Sequence, residues 1–296
     1  MWPGEFVFGY PGQHGEAGTA GPSWARDGSF LVFRRLRQDV GAFHKFLHDT
    51  ALRWKIDDPT LLGAKCVGRW PSGTPILHAP KQDKAEAALA RDEAINNDFR
   101  FEGKKGEICP FGAHIRKVHP RNDESNQTHR LLRRGIPYGE ASLSSPTRPY
   151  SDTVDRGLLF LAYQTSIENQ FEFLQNQANS GTGNNADYDP IIGQNRQNKR
   201  KRHFRVGFID RSENVQEEVV PIEKEWVIPT GGGYFFAPSI EALRMLVKPL
   251  PARNDSFSAP SPEALKKTFQ NTRGPAPAQP EAISPEEWAR VWAQAW

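Results

Sequence analysis

The segment Ser29-Phe30-Leu31-Val32-Phe33-Arg34-Arg35-Leu36 sets aromatic and β-branched residues among apolar positions, which predicts a strand. From Asp39 to about Trp54 the period lengthens. Val40, Phe43, Phe46 and Leu47 recur at three- and four-residue spacing, predicting a helix with one apolar face. Asp58-Pro59-Thr60-Leu61-Leu62 starts a second helix, and the Gly/Pro-rich passage from Gly68 to Gly73 reads as a turn. Further on, His129 to Ile136 predicts a strand ended by Pro137, and Gly157 to Tyr163 predicts another. A helix at about 164–178 follows, with Ile167, Phe171 and Leu174 on one face and a polar loop from Asn179 to Asn185. Glu225 to Ile228 and Tyr234 to Phe236 flank three glycines and read as a hairpin.

Less regular stretches frame these elements. Residues 1–28 are rich in Gly, Pro and polar side chains and read as turns rather than a packed element. Lys81 to Asn97 is charged and alanine-rich, a short exposed helix or a loop. Strands mixed with helices, without regular β-α-β alternation, favour an α+β fold with helices on an antiparallel sheet. The organisation expected is one folded region over 1–248, a Pro-, Ser- and Ala-rich linker over 249–283, and a terminal helix over 284–296. Ser284-Pro285-Glu286-Glu287 carries an N-cap, a proline at the first turn and a capping-box acid. Trp288, Trp292 and Trp296 then share one face, either packed on their own domain or docking a partner.

Composition narrows the class. No stretch of the 296 residues approaches a membrane-spanning length of about 20 apolar residues, and mean hydropathy is −0.66. The first residues lack a basic region followed by an apolar run, so no secretory signal is expected. Two cysteines, Cys66 and Cys109, exclude a disulfide scaffold and fit a reducing, cytoplasmic setting. A net charge of +3 does not by itself call for nucleic acid. The basic run Arg196 to Arg202 reads as a solvated loop or an anion contact.

Eight histidines are candidates for metal or acid–base chemistry: His14, His44, His48, His78, His114, His119, His129 and His203. His44 and His48 stand four apart on the first helix, a possible two-ligand spacing. Their neighbours Phe43, Phe46 and Leu47 mark an ordinary amphipathic helix, and no third ligand has a place beside them. His114 differs in its surroundings: Cys109-Pro110-Phe111-Gly112 enters tightly, and Arg116, Lys117 and Arg121 follow within seven residues. An iron porphyrin needs an axial imidazole and cationic partners for its propionates, and this neighbourhood contains both residue types.

The run Cys109-Pro110-Phe111-Gly112-Ala113-His114-Ile115-Arg116-Lys117-Val118-His119-Pro120-Arg121 resembles the proximal-histidine signature of dye-decolorizing (DyP-type) haem peroxidases. Segments 3–11, 28–36, 133–139, 156–164 and 231–236 resemble further parts of that family in the same order, together covering roughly residues 3 to 247. The resemblance implies an α+β, ferredoxin-like antiparallel sheet with helices, with the first ferredoxin-like half largely missing. It implies haem b as cofactor, with His114 on the iron and Arg121 among the propionate partners. Arg133 would be the distal arginine supporting peroxide O–O cleavage, and strand alternation decides between it and Arg134. Leu158 and Phe160 would form the apolar distal wall, and Glu168 or Asp189 would support the far nitrogen of His114.

One departure bears on the activity. The family's Gly-x-x-Asp-Gly motif has only a near match, Trp24-Ala25-Arg26-Asp27-Gly28, without the first glycine. The expectation is therefore a peroxidase subunit using hydrogen peroxide to oxidise dyes, phenols or other bulky donors. A second chain would supply the distal aspartate, and Trp2, Phe6 and Phe8 are candidate interface residues. The alternatives are a truncated product and a haem-binding or partner-stabilising subunit without turnover of its own. Neither nucleic acid nor membrane is an expected partner.

Overall fold

The first apolar run forms β1 (Ser29–Gln38), and Gln38 leads through Asp39 directly into α1 (Val40–Trp54). The Asp39 side chain accepts the Ala42 amide at 3.1 Å, satisfying a donor that the helix start leaves unpaired. Asp58 caps α2 (Pro59–Val67) in the same way through the Thr60 amide at 2.8 Å, with Pro59 at the first turn. Gly68 closes α2 at φ +95°, and a Cβ there would lie 2.3 Å from the Ile115 side chain. A glycine is thus required both by the left-handed cap and by the close approach of the next layer.

In the computed structural model the described residues are 2–13, 22–83, 96–101, 106–121, 124–179, 187–194, 202–209 and 215–247. Within them the remaining elements are β2 (Leu132–Arg133), β3 (Ile136–Tyr138), β4 (Gly157–Gln164), β5 (Arg202–Ile209), β6 (Val215–Ile222) and β7 (Val227–Ala237). The further helices are α3 (His114–Val118), α4 (Phe173–Asn179) and α5 (Ile240–Val247). The architecture is α+β: β2, β4, β1 and β7 lie side by side in an antiparallel sheet, with β3 following β2 along β4. A separate hairpin is made by β5 and β6. The expected linker over 249–283, the helix over 284–296 with its three tryptophans, and most of 81–97, 179–185 and 196–202 lie outside the described residues.

Three elements differ from the pattern reading. The glycine-flanking hairpin is instead one strand, β7, whose Gly231, Gly232 and Gly233 pair with Arg35, Arg34 and Phe33. Three glycines look like a turn locally, yet β1 supplies a ladder along the whole segment, with a bulge between Arg35 and Leu36. Pro137 does not end a strand but sits inside β3, which is tolerable because β3 is at the sheet edge. The helix expected from 164 starts at Ile167 with a π-turn through Glu172 before α4 begins.

The register gives the sheet two unlike faces. Val32, Arg34, Leu36, Leu158, Phe160, Ala162 and Arg133 share one face, because opposite residues in an antiparallel pair point the same way. This inner face is covered by the π-turn, where Phe171 meets Phe160, and by the N-terminal segment, where Phe8 meets Phe30 and Phe236. Phe8, expected at an interface, is therefore buried inside the chain, whereas Trp2 is exposed. Within residues 2–13 and 22–28, expected to be turns alone, Gly4, Glu5, Phe8 and Ala25 are buried. At one end of the sheet Leu36 joins the main core, in which Phe43 and Leu47 of α1 meet α2, Phe204 and Val206 of β5 and Val220 and Ile222 of β6. Leu47 is 1% exposed. Leu47→Ala is expected to cost about 2–5 kcal/mol in urea unfolding, since truncation removes contacts and leaves a cavity; a cost below about 1 kcal/mol would show that this core re-forms around the gap.

Candidate functional site

His114 is the first residue of α3, and its Nδ1 lies 2.7 Å from Oδ2 of Asp189. Asp189 is fully buried, and its Oδ1 accepts the backbone amides of Ile191 at 2.8 Å and Ile192 at 3.0 Å. Both carboxylate oxygens are thus occupied by donors, which fixes the plane of the group and, through it, the imidazole. With Nδ1–H directed at the carboxylate, the ring's lone pair belongs to Nε2, the nitrogen a metal would take. Glu168, the other acid considered, is exposed on the π-turn.

The residues before His114 explain how the two segments meet. Lys65 of α2 donates from Nζ to the carbonyls of Glu107 at 2.9 Å and Ile108 at 3.1 Å, and Arg116 donates to the Cys109 carbonyl at 2.5 Å. The Arg116 guanidinium lies 4.1 Å from the centre of the Phe111 ring. Gly112 leaves room for the acid-bearing segment: a Cβ there would come within 2.9 Å of the Tyr188 carbonyl and 3.0 Å of the Asp187 Cβ. Burial pushes the Cys109 thiol up to about 12 and the Cys66 thiol higher still, so both cysteines are inert packing groups here.

Beyond α3 the chain builds a cationic basin. His119 closes the helix by donating its backbone amide to the Ile115 carbonyl, and Arg121 follows with φ +63°. Arg69, His119, Arg121, Arg130 and Arg133 are close enough to perturb one another. Burial pushes the His119 imidazole down to about 4, with Arg130, Arg121 and Arg133 adding repulsion. Burial draws Arg69 down to about 10, again with Arg121 and Arg133 contributing. Burial also lowers Arg121 and Arg130. The guanidiniums of Arg69, Arg121 and Arg130 bond to neutral oxygens of Gly73, Asn96, Asn97 and Gln127, and no carboxylate among the described residues offsets the basin. The buried Nε of Arg121 has no hydrogen-bond partner among the described residues. A basin of cations that no carboxylate of the described residues offsets, with an unspent buried donor, suits an anion.

Arg133 stands opposite Ala162 and therefore shares the inner face with Leu158 and Phe160. Arg134 turns the other way, its backbone bonded to Leu161 and its guanidinium to the Arg133 carbonyl at 2.8 Å. Arg133 keeps solvent contact, yet crowding by protein atoms lowers its pKa. Those two properties coexist for a group lining a concave wall. The structure thus joins Arg121 to Arg133 through the basin, Arg133 to Leu158 and Phe160 through the sheet, and His114 to Asp189. It does not join His44 and His48: His44 is buried against Ser144 Oγ at 2.9 Å, and His48 lies beside Asp49. Asp27, in the near match to the aspartate motif, accepts the Tyr10 hydroxyl at 2.6 Å. The basin members Arg69, His119 and Arg130 were missed in the sequence; Arg69 lies far along the chain, and no local pattern marks it.

Residues 67–191 match the family model for the C-terminal part of Dyp-type peroxidases. The chain belongs to the dye-decolorizing peroxidase family. It is 38% identical over 271 residues to a dye-decolorizing peroxidase of Mycena epipterygia, which covers 81% of this chain and 51% of that protein. A solved ancestral D-type dye-decolorizing peroxidase superposes with a TM-score of 0.68 at 40% identity, over 82% of this chain and 56% of the other. A dye-decolorizing peroxidase solved in complex with 2,6-dimethoxyphenol gives 0.66 at 36% identity, over 81% and 56%. The chain therefore spans about half the length of the relatives it matches. The ferredoxin-like α+β fold agrees with these neighbours, whose family generally uses haem.

The low His119 value makes a pH prediction. An unfolded chain protonates this imidazole near 6.5, whereas the folded chain resists protonation down to about 4. Stability from the neutral ring is complete above about 6.5 and is lost as pH falls toward 4. The difference in urea midpoint between wild type and His119→Gln is expected to shrink or reverse across that window; a difference constant with pH would contradict the basin's electrostatics.

Proposed function

We propose that this chain is the haem-binding part of a hydrogen-peroxide-dependent peroxidase acting on dyes and phenols. The observation that carries the reading is the His114–Asp189 hydrogen bond at 2.7 Å, beside a cationic basin that has no carboxylate among the described residues. His114 would hold the iron of haem b through Nε2, and Arg121, with its unspent Nε donor, would take a propionate. Haem held there supplies an iron centre for the reduction of peroxide and for oxidising electron-rich aromatic donors. Asp189 keeps Nδ1 protonated and makes the imidazole a stronger electron donor.

On the sheet side, Arg133 carries a fixed positive charge suited to the negative charge that develops on the departing peroxide oxygen. Leu158 and Phe160 line the same wall and present apolar surface beside that charge. Moving the peroxide proton needs an acid–base group, and no carboxylate of the described residues acts on the basin. The relatives are about twice as long as the matched region, so the reading assigns that group to a second polypeptide segment outside this chain's match. The same observation favours a second reading, a haem-binding subunit with no turnover of its own. Phenols are the donor class because the neighbour bound to 2,6-dimethoxyphenol is among the most similar structures.

Haemin titrated into the full chain is expected to give a Soret band at one equivalent, lost in His114→Ala. Peroxide-driven oxidation of 2,6-dimethoxyphenol is to be assayed with the chain alone and after adding the unmatched half of the Mycena epipterygia peroxidase. Turnover that depends on that half, and that falls about 100-fold or more in Arg133→Leu with the Soret band retained, is the expected result. Unchanged turnover in Arg133→Leu would remove its assigned role, and full turnover by the chain alone would remove the need for a second segment. A Soret band with no turnover under either condition would select the subunit reading.

A further inference from the structure

A cavity of about 120 Å³ opens where the end of β1 passes into α1. It is lined by Arg37, Gln38, Asp39, Val40 and Gly41 and by the loop over 152–156. Its volume is well above the roughly 10–15 Å³ that holds one water. Gly41 lets the loop approach: a Cβ there would lie 2.5 Å from the Tyr150 carbonyl and 2.9 Å from Ser151 Cα. The chain can therefore fold over the start of the helix and close the cavity from that side. The site stands apart from the cationic basin. Arg37 pairs with Gly157 of β4, whereas Arg133 pairs with Ala162, about 16 Å further along the strand.

Most charges around the cavity already have partners. Asp152 accepts Arg156 at 2.8 and 2.9 Å and the Val154 amide at 3.0 Å. Nε of Arg156 donates to the Glu140 carbonyl at 2.8 Å, and Asp155 is held by Arg35. What is left over is mostly donors. The Gln38 side chain is 9% exposed, lines the cavity and makes no hydrogen bond among the described residues. The Arg37 guanidinium makes neither an ion pair nor a hydrogen bond among those residues. The amides of Val40 and Gly41, in the first turn of the 15-residue α1, have no acceptor within the helix. Asp39 uses Oδ1 to cap Ala42, which leaves Oδ2 as an acceptor. A buried amide side chain without a partner is costly, and a ligand in the cavity would supply one.

We propose that this cavity binds a small 2-hydroxycarboxylate. The ligand's carboxylate would meet the Arg37 guanidinium and the first amides of α1, where the helix dipole favours negative charge. Its hydroxyl would donate to Oδ2 of Asp39. The Gln38 amide, donor and acceptor at once, would bridge the two ligand groups. A plain carboxylate has no hydrogen to give Asp39, and sulfate sets bare negative charge against it. The site shares no residue with the His114 and Arg133 assignments, so it does not depend on them.

The test is calorimetric titration of the full chain, without haem, with lactate. Saturable binding at one site is expected, with acetate and sulfate weaker by about 10-fold or more. Arg37→Met and Gln38→Met should each weaken lactate by about 10-fold or more, since each removes a hydrogen-bond partner of a charged ligand. Gly41→Ala should weaken it too, because the added methyl displaces the loop that closes the cavity. Arg53→Met, exposed in the last turn of α1, should leave the affinity unchanged. Arg37 is half-buried at a strand end, so its variant should keep the wild-type circular dichroism and stays decisive if Gly41→Ala fails to fold. No lactate binding, or acetate or sulfate binding as tightly as lactate, would overturn the proposal. So would unchanged affinity in Arg37→Met. Loss of lactate binding in His114→Ala would also overturn it, by placing the ligand beside the imidazole. Binding is read without haem, so its failure is distinguishable from failure of the Soret and turnover assays.

Discussion

Asp189 is the fixed point of the site. Its carboxylate receives two backbone amides on one oxygen and the His114 imidazole on the other, at 2.8, 3.0 and 2.7 Å. A buried carboxylate is costly unless its acceptor sites are filled, so these donors are a condition of folding as well as of function. Much of the surrounding chain serves that meeting. Gly112 lets the acid segment approach, Lys65 and Arg116 hold the loop before α3, and Gly68 lets Ile115 pack against the end of α2. The sheet contributes from the other side through Arg133.

The two faces of that sheet divide the labour. The inner face joins the core at Leu36, carries Arg133, Leu158 and Phe160, and is closed by Phe171 and Phe8. Among the described residues, helices and turns lie on one side of the sheet and half-buried apolar residues on the other. The cationic basin shows an imbalance of charge: four arginines and a histidine stand together with no carboxylate from the described residues to oppose them.

Local pattern made α1, α2, β1 and β4 legible, because each carries its own period and the two helices carry caps at Asp39 and Asp58. It failed at Gly231–Gly233, where three residues favoured in turns are held in a strand by their neighbour β1. It also failed at Pro137 and at the π-turn, where position at the edge and side-chain capping by Ser166 outweigh propensity. His114 was readable only through its motif. The choice between Glu168 and Asp189 was not, since their distances along the chain from His114, 54 and 75 residues, carry no information about space. Arg133 over Arg134 follows once the pairing with Ala162 is known, because alternation then sets the face. Arg69 could not have been found, for it meets Arg121 through tertiary contacts, both guanidiniums packing on Phe99 and bonding to Asn97.

The reduction potential of the haem-loaded full chain, compared between wild type and Asp189→Asn, tests the central claim most directly. Asparagine keeps the shape but removes the charge that makes the imidazole electron-donating. The account predicts that the variant still binds haem through His114 and that its potential moves to more positive values. An unchanged potential, with the same Soret spectrum, would contradict the assignment of Asp189 as the partner of an iron-bound His114.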